Sequence, residues 1–175
     1  MPTLIVVCGP PAAGKSILSL SLGQQLGLAV IAKDAIKEAL MDHLGDGAAV
    51  GGAAFSVQFL VAAKLLNSGV GLILEGAFFR DQPELRSIAT LGHTVVVHVV
   101  APVDVLVERF TARQSQRHPG HRGLEAIPDL RQRMLDGTYE PPDLGVPLLR
   151  VDTTDGFRPP EHEILRWLCD HLVSR

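Results

Sequence analysis

Eight consecutive residues near the start of the chain have the types and spacing of a phosphate-binding loop, G-x-x-x-x-G-K-[ST]. In such a loop, glycines let backbone N–H groups converge on phosphate oxygens, and a helix that begins there adds its positive end. The lysine then reaches the β- and γ-phosphates, and the serine hydroxyl joins a Mg²⁺ shell. We therefore predict nucleotide binding by the motif and the residue that follows it: Gly9, Pro10, Pro11, Ala12, Ala13, Gly14, Lys15, Ser16 and Ile17.

The segments on either side of this loop support the same interpretation. Residues 3–8 form a short apolar run rich in β-branched side chains, which is typical of a buried parallel strand. After the loop, Leu18, Leu22 and Leu26 recur every four residues, which indicates a helix. The alternative is a glycine- and proline-rich turn that contains a lysine by chance. The order of strand, loop and helix favours the phosphate-binding loop over that alternative.

Two acidic residues follow predicted strands and place carboxylates at the same edge of the sheet. Asp34 follows the predicted strand 28–32, and Glu75 follows the predicted strand 71–74. The carboxyl ends of parallel strands are where α/β sheets bind ligands. Asp34 either acts there or only caps the helix predicted over residues 35–44. Glu75 either holds Mg²⁺ through water, binds a second substrate, or is a solvated charge.

A third group of residues is basic and lies in the second half of the chain. Arg109, Arg113 and Arg117 recur every four residues, so a helix predicted from Pro102 to about residue 116 would carry them on one face. Arginine supplies charge and paired donors to phosphate oxygens. His118 and His121 follow in a loop, but no Cys, Asp or Glu stands between residues 117 and 123 to complete a zinc site.

Composition and element order predict the architecture. The 175 residues suit one domain, and strands alternating with helices predict a three-layer α/β/α fold with a five-stranded parallel sheet. The net charge of −3 disfavours broad nucleic-acid binding. Two cysteines far apart in the sequence fit a reducing cytoplasm, and no apolar run approaches the roughly 20 residues of a membrane helix.

On these landmarks the chain resembles the P-loop kinase superfamily, which transfers the γ-phosphoryl group of ATP to a small acceptor. The most similar patterns are those of the zeta-toxin and chloramphenicol-phosphotransferase group and of the kinase domain of polynucleotide kinases. The resemblance implies the sheet order 2-3-1-4-5 in a single domain over residues 1–175, with an arginine-bearing lid at about residues 109–135. It also implies that Asp34 is the base that takes the proton of the acceptor hydroxyl.

The resemblance assigns roles to further residues. It implies that lid arginines, Arg113 and Arg117 foremost, meet the transferring phosphoryl group, and that the turn with Thr153 and Thr154 contacts adenine, unless it is only an Asx-type turn. Glu75 would bind the acceptor, as the acid of the Leu-Glu-Gly pattern does in zeta toxins. The acceptor site would be bordered by Lys37, Arg80 and four phenylalanines: Phe55, Phe59, Phe78 and Phe79.

One position departs from the polynucleotide kinase pattern. Lys37 stands where those enzymes usually have arginine, and lysine lacks the fork geometry that suits a phosphate. This departure weakens the case for a phosphorylated acceptor such as a nucleic-acid end. The phenylalanines either form core or favour an acceptor with apolar or ring surface.

The resulting hypothesis is an ATP- and Mg²⁺-dependent kinase acting on a hydroxyl of a nucleoside, sugar or antibiotic-like molecule. Two alternatives stay open: a nucleic-acid-end kinase, and a nucleotide-binding regulator that hydrolyses NTP slowly. A GTPase is disfavoured because no N-K-x-D motif is present, and the chain is too short for a complete AAA+ module. Oligomeric state does not follow from this sequence.

Overall fold

The computed structural model describes residues 1–172 except Asp46 and Ala48. Strands and helices alternate along these residues, with two short 3₁₀ turns between the fifth and sixth helices. The elements are β1 (Thr3–Cys8), α1 (Lys15–Leu26), β2 (Ala29–Ala32), α2 (Lys33–Leu44), α3 (Val50–Asn67), β3 (Leu72–Glu75), α4 (Pro83–Ala89), β4 (His93–Val100), α5 (Val103–Ala112), α6 (Ile127–Leu135), β5 (Leu148–Asp152) and α7 (Glu161–Leu172). The 3₁₀ turns span Gln114–Gln116 and Leu124–Ala126.

The strands form one parallel sheet in the order β2-β3-β1-β4-β5, which confirms the predicted fold and strand order. The register brings the carboxyl ends of β1, β2 and β3 to the same level, at the edge where α/β sheets bind ligands. Glu75 at the end of β3 pairs with Val7 of β1 on one side and with Ala32 of β2 on the other. The loop after β1, the start of α2 and Glu75 therefore meet at one edge of the sheet.

Alternate residues of β1 pack into two cores on opposite faces of the sheet, because side chains of a strand point to each face in turn. Ile5 and Val7 contact the face covered by α1 and α7, whereas Leu4 and Val6 contact the face covered by α3 and α4. All four side chains are fully buried. The middle layer of the three is thus rigid at the point where β1 delivers the chain into the glycine-rich loop.

Helix α3 is the one described segment that has the length and composition of a membrane span, contrary to the expectation from sequence. It has 18 residues with a mean hydropathy of 1.4. The core helix of a globular protein passes the same test, and α3 packs Phe59, Ala62 and Leu66 into the core on its face of the sheet. Length and composition alone therefore carry no membrane assignment.

Several helix boundaries differ from the predicted ones. Helix α2 begins at Lys33 instead of residue 35, and α3 begins at Val50 inside the stretch predicted as a loop over residues 45–52. The helix predicted to reach residue 116 ends at Ala112, where Gln-Ser-Gln continues as a 3₁₀ turn ahead of Pro119 and Gly120. Serine is a weak helix former, and proline restricts the residue before it to extended backbone. The predicted end of the last helix, Val173, lies outside the described residues.

Candidate active site

The loop after β1 is shaped by glycines that no other residue can replace without strain. Gly9 has a φ of 137°, and a Cβ built on it would lie 2.0 Å from the carbonyl oxygen of Val99 in β4. Gly14 has a φ of 89° and directly precedes α1, so the helix begins at Lys15. The Lys15 side chain is 8% exposed and donates from Nζ to the Pro10 carbonyl oxygen at 2.8 Å. The loop thus closes around its own lysine at the N-terminus of a helix.

A cavity of about 380 Å³ lies over this loop, and we call it the phosphate chamber. Loop residues form its floor, and acids and lid residues form its walls. Its lining is Pro11, Ala12, Gly14, Lys15, Ser16, Ile17, Asp34, Glu38, Glu75, Phe110, Arg113, Gln116, Arg117, His118 and His121. The chamber therefore combines a helix N-terminus with several cations, the surroundings that favour a phosphate chain.

Glu75 is a buried acid at the edge of this chamber. It is 5% exposed, and Ser16 donates from Oγ to its Oε2 at 3.4 Å. Burial raises the pKa of Glu75 above its usual value, although the charge of Lys15 acts in the opposite direction. Burial likewise lowers the pKa of Lys15, against the attraction of Glu75. A buried carboxylate beside a serine hydroxyl is an oxygen pair that a divalent cation would favour.

The donors here fit Mg²⁺ better than a metal with an all-protein cage. No group of three or more His, Cys, Asp and Glu side chains in the described part of the chain has the arrangement of a metal site. Mg²⁺ usually takes one or two protein oxygens and completes its shell with water and substrate phosphates. Ser16 and Glu75 supply that number of ligands at the mouth of the phosphate chamber.

Asp34 lies in the first turn of α2 and does not cap it, so the interpretation as a helix cap is wrong. The N-cap residue is Ala32, and no side chain bonds the free N–H groups there. The Asp34 carboxyl is 65% exposed and pairs with Lys33 Nζ at 3.3 Å. Partial burial raises its pKa, but the positive charges of Lys33, His121 and Lys15 outweigh that effect and hold the pKa below its usual value. Asp34 is therefore an ionised, accessible carboxylate.

Gln58 of α3 lines neither chamber but holds the backbone behind the site, a positioning role that the sequence analysis missed. Its fully buried side chain donates from Nε2 to the carbonyl oxygens of Ile31 and Glu75, both at 2.8 Å. These bonds tie the end of β2, and hence Asp34, to the end of β3. Its Oε1 has no hydrogen-bond partner among the described residues. The available signal was a glutamine between the apolar stretches of a helix that is otherwise largely apolar.

Only Arg109 lies within α5, because Arg113 follows its last residue and Arg117 follows the 3₁₀ turn. The prediction that one helix carries all three lid arginines on one face is therefore wrong. Arg109 donates from Nη1 to Thr153 Oγ1 and from Nη2 to the Thr154 carbonyl oxygen, both at 3.0 Å. Arg113, the residue after α5 ends, borders the phosphate chamber. Arg117 lies over the Phe110 ring at 4.5 Å from its centroid. The early end of α5 leaves Arg113 and Arg117 outside the helix, and both line the phosphate chamber.

The turn after β5 joins Arg109 to the phosphate-binding loop. Thr153 Oγ1 donates to the Ala13 carbonyl oxygen at 3.0 Å, and Asp152 Oδ1 accepts from the Thr154 N–H at 2.7 Å. The second bond is the Asx-type turn weighed in the sequence analysis. An apolar slot of about 390 Å³ opens beside it, lined by Ala12, Gly14, Ile17, Arg109, Ala112, Arg113, Thr153, Gly156 and Phe157. The turn and the slot are therefore parts of one feature.

The lid rests on α2 through two histidines. His118 Nε2 lies 2.9 Å from Asp42 Oδ1, and His121 Nε2 lies 2.8 Å from Glu38 Oε1. Between them, a Cβ on Gly120 would lie 2.6 Å from Met41 Sδ, so the lid backbone is in close contact with α2. The two histidines thus pack the lid against α2, and the lid closes over the helix that carries Asp34.

A second cavity of about 260 Å³ adjoins the first, and we call it the acceptor chamber. Both chambers are lined by Lys15, Asp34 and Arg117. The other lining residues are Pro11, Lys33, Lys37, Phe55, Ala77, Phe79, Phe110, His121, Arg122, Ala126, Asp129, Leu130, Arg133 and Tyr139. A group bound in one chamber therefore faces a group bound in the other across three charged side chains.

Only some of the residues predicted to border the acceptor line the acceptor chamber. Lys37, Phe55 and Phe79 line the acceptor chamber. Phe59 and Phe78 are buried in the core, with ring centroids 6.1 Å apart. Arg80 is exposed and lines neither chamber, and Glu75 lines only the phosphate chamber. The structure thus places Glu75 at the phosphate chamber and away from the acceptor chamber.

Comparisons with known proteins agree with this geometry. A candidate kinase from Chloroflexus aurantiacus is 37% identical, with 98% of each chain covered and a TM-score of 0.86. A gluconokinase from Sinorhizobium meliloti (20% identity, 98% and 91% covered, TM-score 0.62) and a shikimate kinase from Acinetobacter baumannii (19%, 99% and 97%, 0.65) share the fold. Comparison with functionally curated proteins gives no significant match.

The family comparison covers most of the chain. The profile of a family described as an AAA domain matches residues 4–136. That range contains the phosphate-binding loop and the two strand-end acids, Asp34 and Glu75. The predicted resemblance to P-loop small-molecule kinases is confirmed at the level of family and fold. The chain belongs to this AAA domain family, and its fold is that of the small-molecule P-loop kinases.

Proposed function

We propose that this protein transfers the γ-phosphoryl group of ATP to a hydroxyl of a small molecule, in a reaction that depends on Mg²⁺. One observation carries the proposal. The phosphate chamber and the acceptor chamber meet at Lys15, Asp34 and Arg117. Phosphoryl transfer consists mainly of positioning and charge stabilisation, and this junction supplies a carboxylate for the acceptor and cations for the transferring group.

Asp34 acts as the base in this proposal. Its carboxylate is ionised and accessible, so it accepts a hydrogen bond from the acceptor hydroxyl and aligns the oxygen with the γ-phosphorus. The acceptor oxygen forms the new bond to phosphorus, the bond to the β–γ bridging oxygen breaks, and ADP leaves. The hydroxyl proton passes to Asp34. The ion pair with Lys33 keeps this carboxylate charged in the absence of substrate.

Cations on either side of the junction bind the phosphates. Lys15 exchanges its bond to the Pro10 carbonyl for the β- and γ-phosphate oxygens. Arg113 and Arg117 stabilise charge on the transferring group, since both line the phosphate chamber and only Arg117 reaches the acceptor chamber. Ser16 and Glu75 would hold Mg²⁺, which neutralises charge on the phosphate oxygens when bound.

The slot beside the turn after β5 binds the base of ATP. Its apolar walls include Ile17 and Phe157, and it lies against Gly14 at the end of the phosphate-binding loop. Arg109 takes a different role from the other lid arginines. Its donors are engaged by Thr153 and Thr154, so it holds the base-binding turn against the lid and borders the base without meeting the γ-phosphate.

The size of the acceptor chamber favours a small acceptor, such as a nucleoside, sugar or antibiotic-like molecule, over a nucleic-acid end. Its volume of about 260 Å³ is slightly below the range of ligand pockets, which span about 300–1,000 Å³. The solved relatives named gluconokinase and shikimate kinase agree with this class. We also propose that the protein works in the cytoplasm, where ATP is available and its cysteines, Cys8 and Cys169, stay reduced.

Transfer from labelled ATP into a library of metabolites and antibiotics tests the proposal. For an acceptor found in this way, we expect Asp34→Asn to keep ATP affinity within a few-fold and to reduce transfer roughly 10²-fold or more, the scale of a positioned general base. Asp170→Asn, at an exposed position of α7, is the matched control and should behave as the wild type. Near-full transfer by Asp34→Asn would exclude Asp34 as the base. Slow ATP hydrolysis without transfer to any compound in the library would instead favour a nucleotide-binding regulator.

A further inference from the structure

The walls of the acceptor chamber carry a large excess of positive charge. Six cationic side chains line it, whereas only two carboxylates do. The cations come from the phosphate-binding loop, from α2, from the lid and from α6: Lys15, Lys33, Lys37, Arg117, Arg122 and Arg133. Because the chain as a whole has a net charge of −3, this excess is local to the chamber.

Both carboxylates of the chamber are already paired. Asp34 pairs with Lys33 at 3.3 Å, and Asp129 pairs with Arg122 Nη1 at 2.8 Å and with Arg133 Nε at 3.2 Å. Each of the two carboxylates thus already has at least one cation within 3.3 Å. The remaining charges are Lys15 and Arg117, which face the phosphates, and Lys37, which does not line the phosphate chamber.

Lys37 is the cation that this site leaves without a partner. Its side chain is half-buried and makes no hydrogen bond or ion pair with any residue that the structure describes. Burial and the like charge of Lys33 lower the pKa of Lys37 more than the nearby charges of Asp34 and Glu38 raise it, so the ammonium charge is only partly compensated. A bound anion would supply the missing partner.

The positions of Lys37 and Asp34 on α2 fix the separation between the ammonium and the carboxylate that a ligand would meet. The two residues are three apart on α2, so they project from the same face with Cβ atoms about 5–6 Å apart. Phe55 and Phe79 form an apolar part of the chamber wall, with Lys33 Nζ 5.3 Å from the Phe55 ring centroid. A ligand of this chamber thus meets a carboxylate and an ammonium one helical turn apart, with an apolar surface alongside.

We infer that the acceptor is an anion, a small hydroxylated molecule whose carboxylate or phosphate group binds Lys37 while its hydroxyl faces Asp34. This inference rests on the proposed function and names its substrate class. It narrows the acceptors to those in which a reacting hydroxyl lies about one helical turn from a negative charge. Neutral nucleosides, free sugars and cationic antibiotics are then poor acceptors.

Binding of matched probes tests the inference without requiring transfer. The protein is first saturated with a non-hydrolysable ATP analogue and Mg²⁺, so that the phosphate chamber is occupied. Calorimetry then compares gluconate with glucose, a carboxylate pair, and ribose 5-phosphate with ribose, a phosphate pair. We expect the anionic member of at least one pair to bind measurably more tightly than its neutral partner, and the pair that responds identifies the anion. No anion preference in either pair overturns the inference.

Variants of Lys37 show whether this side chain causes the preference for the anionic probe. Lys37→Gln should weaken binding of the anionic probe roughly tenfold or more, the scale of losing a hydrogen bond between charged groups, and should not change binding of the neutral probe. Lys37→Arg should retain the preference. Lys64→Gln, an exposed change on α3, is the control. Equal weakening of both probes by Lys37→Gln overturns the assignment. Selective, Lys37-dependent binding with no transfer from ATP would refute the kinase and not the anion site.

Discussion

The two glycines of the phosphate-binding motif are equivalent in the sequence pattern but differ in the structure, and substitution by alanine should separate them. A Cβ at Gly9 would lie 2.0 Å from the Val99 carbonyl oxygen, and its φ is 137°. A Cβ at Gly14 would meet nothing nearer than Thr153 Cγ2 at 3.9 Å, at a φ of 89°. Gly14→Ala thus adds backbone strain alone, whereas Gly9→Ala adds strain and a collision.

The magnitudes follow from these distances. Backbone in the left-handed region costs a residue with a Cβ about 1–2 kcal/mol, which is the expected loss of unfolding free energy for Gly14→Ala. Overpacking adds about 1–3 kcal/mol and occasionally more. The colliding atom at Gly9 is backbone of a central strand and cannot turn aside as a side chain would. We expect Gly9→Ala to lose about 2–5 kcal/mol, a large part of the 5–15 kcal/mol typical of a domain.

Equilibrium denaturation in urea measures both losses, provided that the slope with denaturant stays the same. Gly27→Ala is a useful reference, because Gly27 has a φ of 65° with no atom within 4 Å of its Cβ position, at a helix end far from the ligand. Gly14→Ala and Gly27→Ala should lose similar amounts. If Gly9→Ala lost no more than these two, the loop would be free to move away from β4, and the rigidity argued for the site would be wrong.

Two further predictions concern charge and mobility. Since burial raises the pKa of Glu75, the folded metal-free protein binds more protons than the unfolded chain between the usual carboxyl pKa and the raised one, and it loses stability as pH rises through that window. Glu75→Gln should therefore stabilise the metal-free protein more at pH 8 than at pH 5 in urea denaturation; a pH-independent effect would contradict the burial argument. Residues 109–123 should exchange amide hydrogens faster without nucleotide than with a non-hydrolysable ATP analogue, because bound phosphates would add contacts to Arg113 and Arg117 that the lid lacks without them. Identical exchange in both states would exclude a lid.

Local sequence was sufficient for the elements that depend on neighbours along the chain. The loop over residues 9–16 needs only its glycines, lysine and serine, and the flanking apolar periods identify a strand and a helix. The order of elements, together with the family resemblance, predicted the sheet order. Boundaries were less certain at helix ends, where weak formers compete. The end of α5 at Ala112 left Arg113 and Arg117 outside the helix that was predicted to carry them, although both line the phosphate chamber.

What the sequence by itself determined is the chemistry of single motifs: a loop that binds phosphate, acids at strand ends and a basic lid. Tertiary structure decided which of these side chains meet. Gln58 bridges β2 and β3 from a distant helix, and Arg109 holds a turn 44 residues further on. Lys37 and Arg133 share a chamber although they come from different helices. Periodicity reports which face of an element is buried, but packing alone brings charges from separate elements together, and that packing gives the acceptor chamber its positive charge.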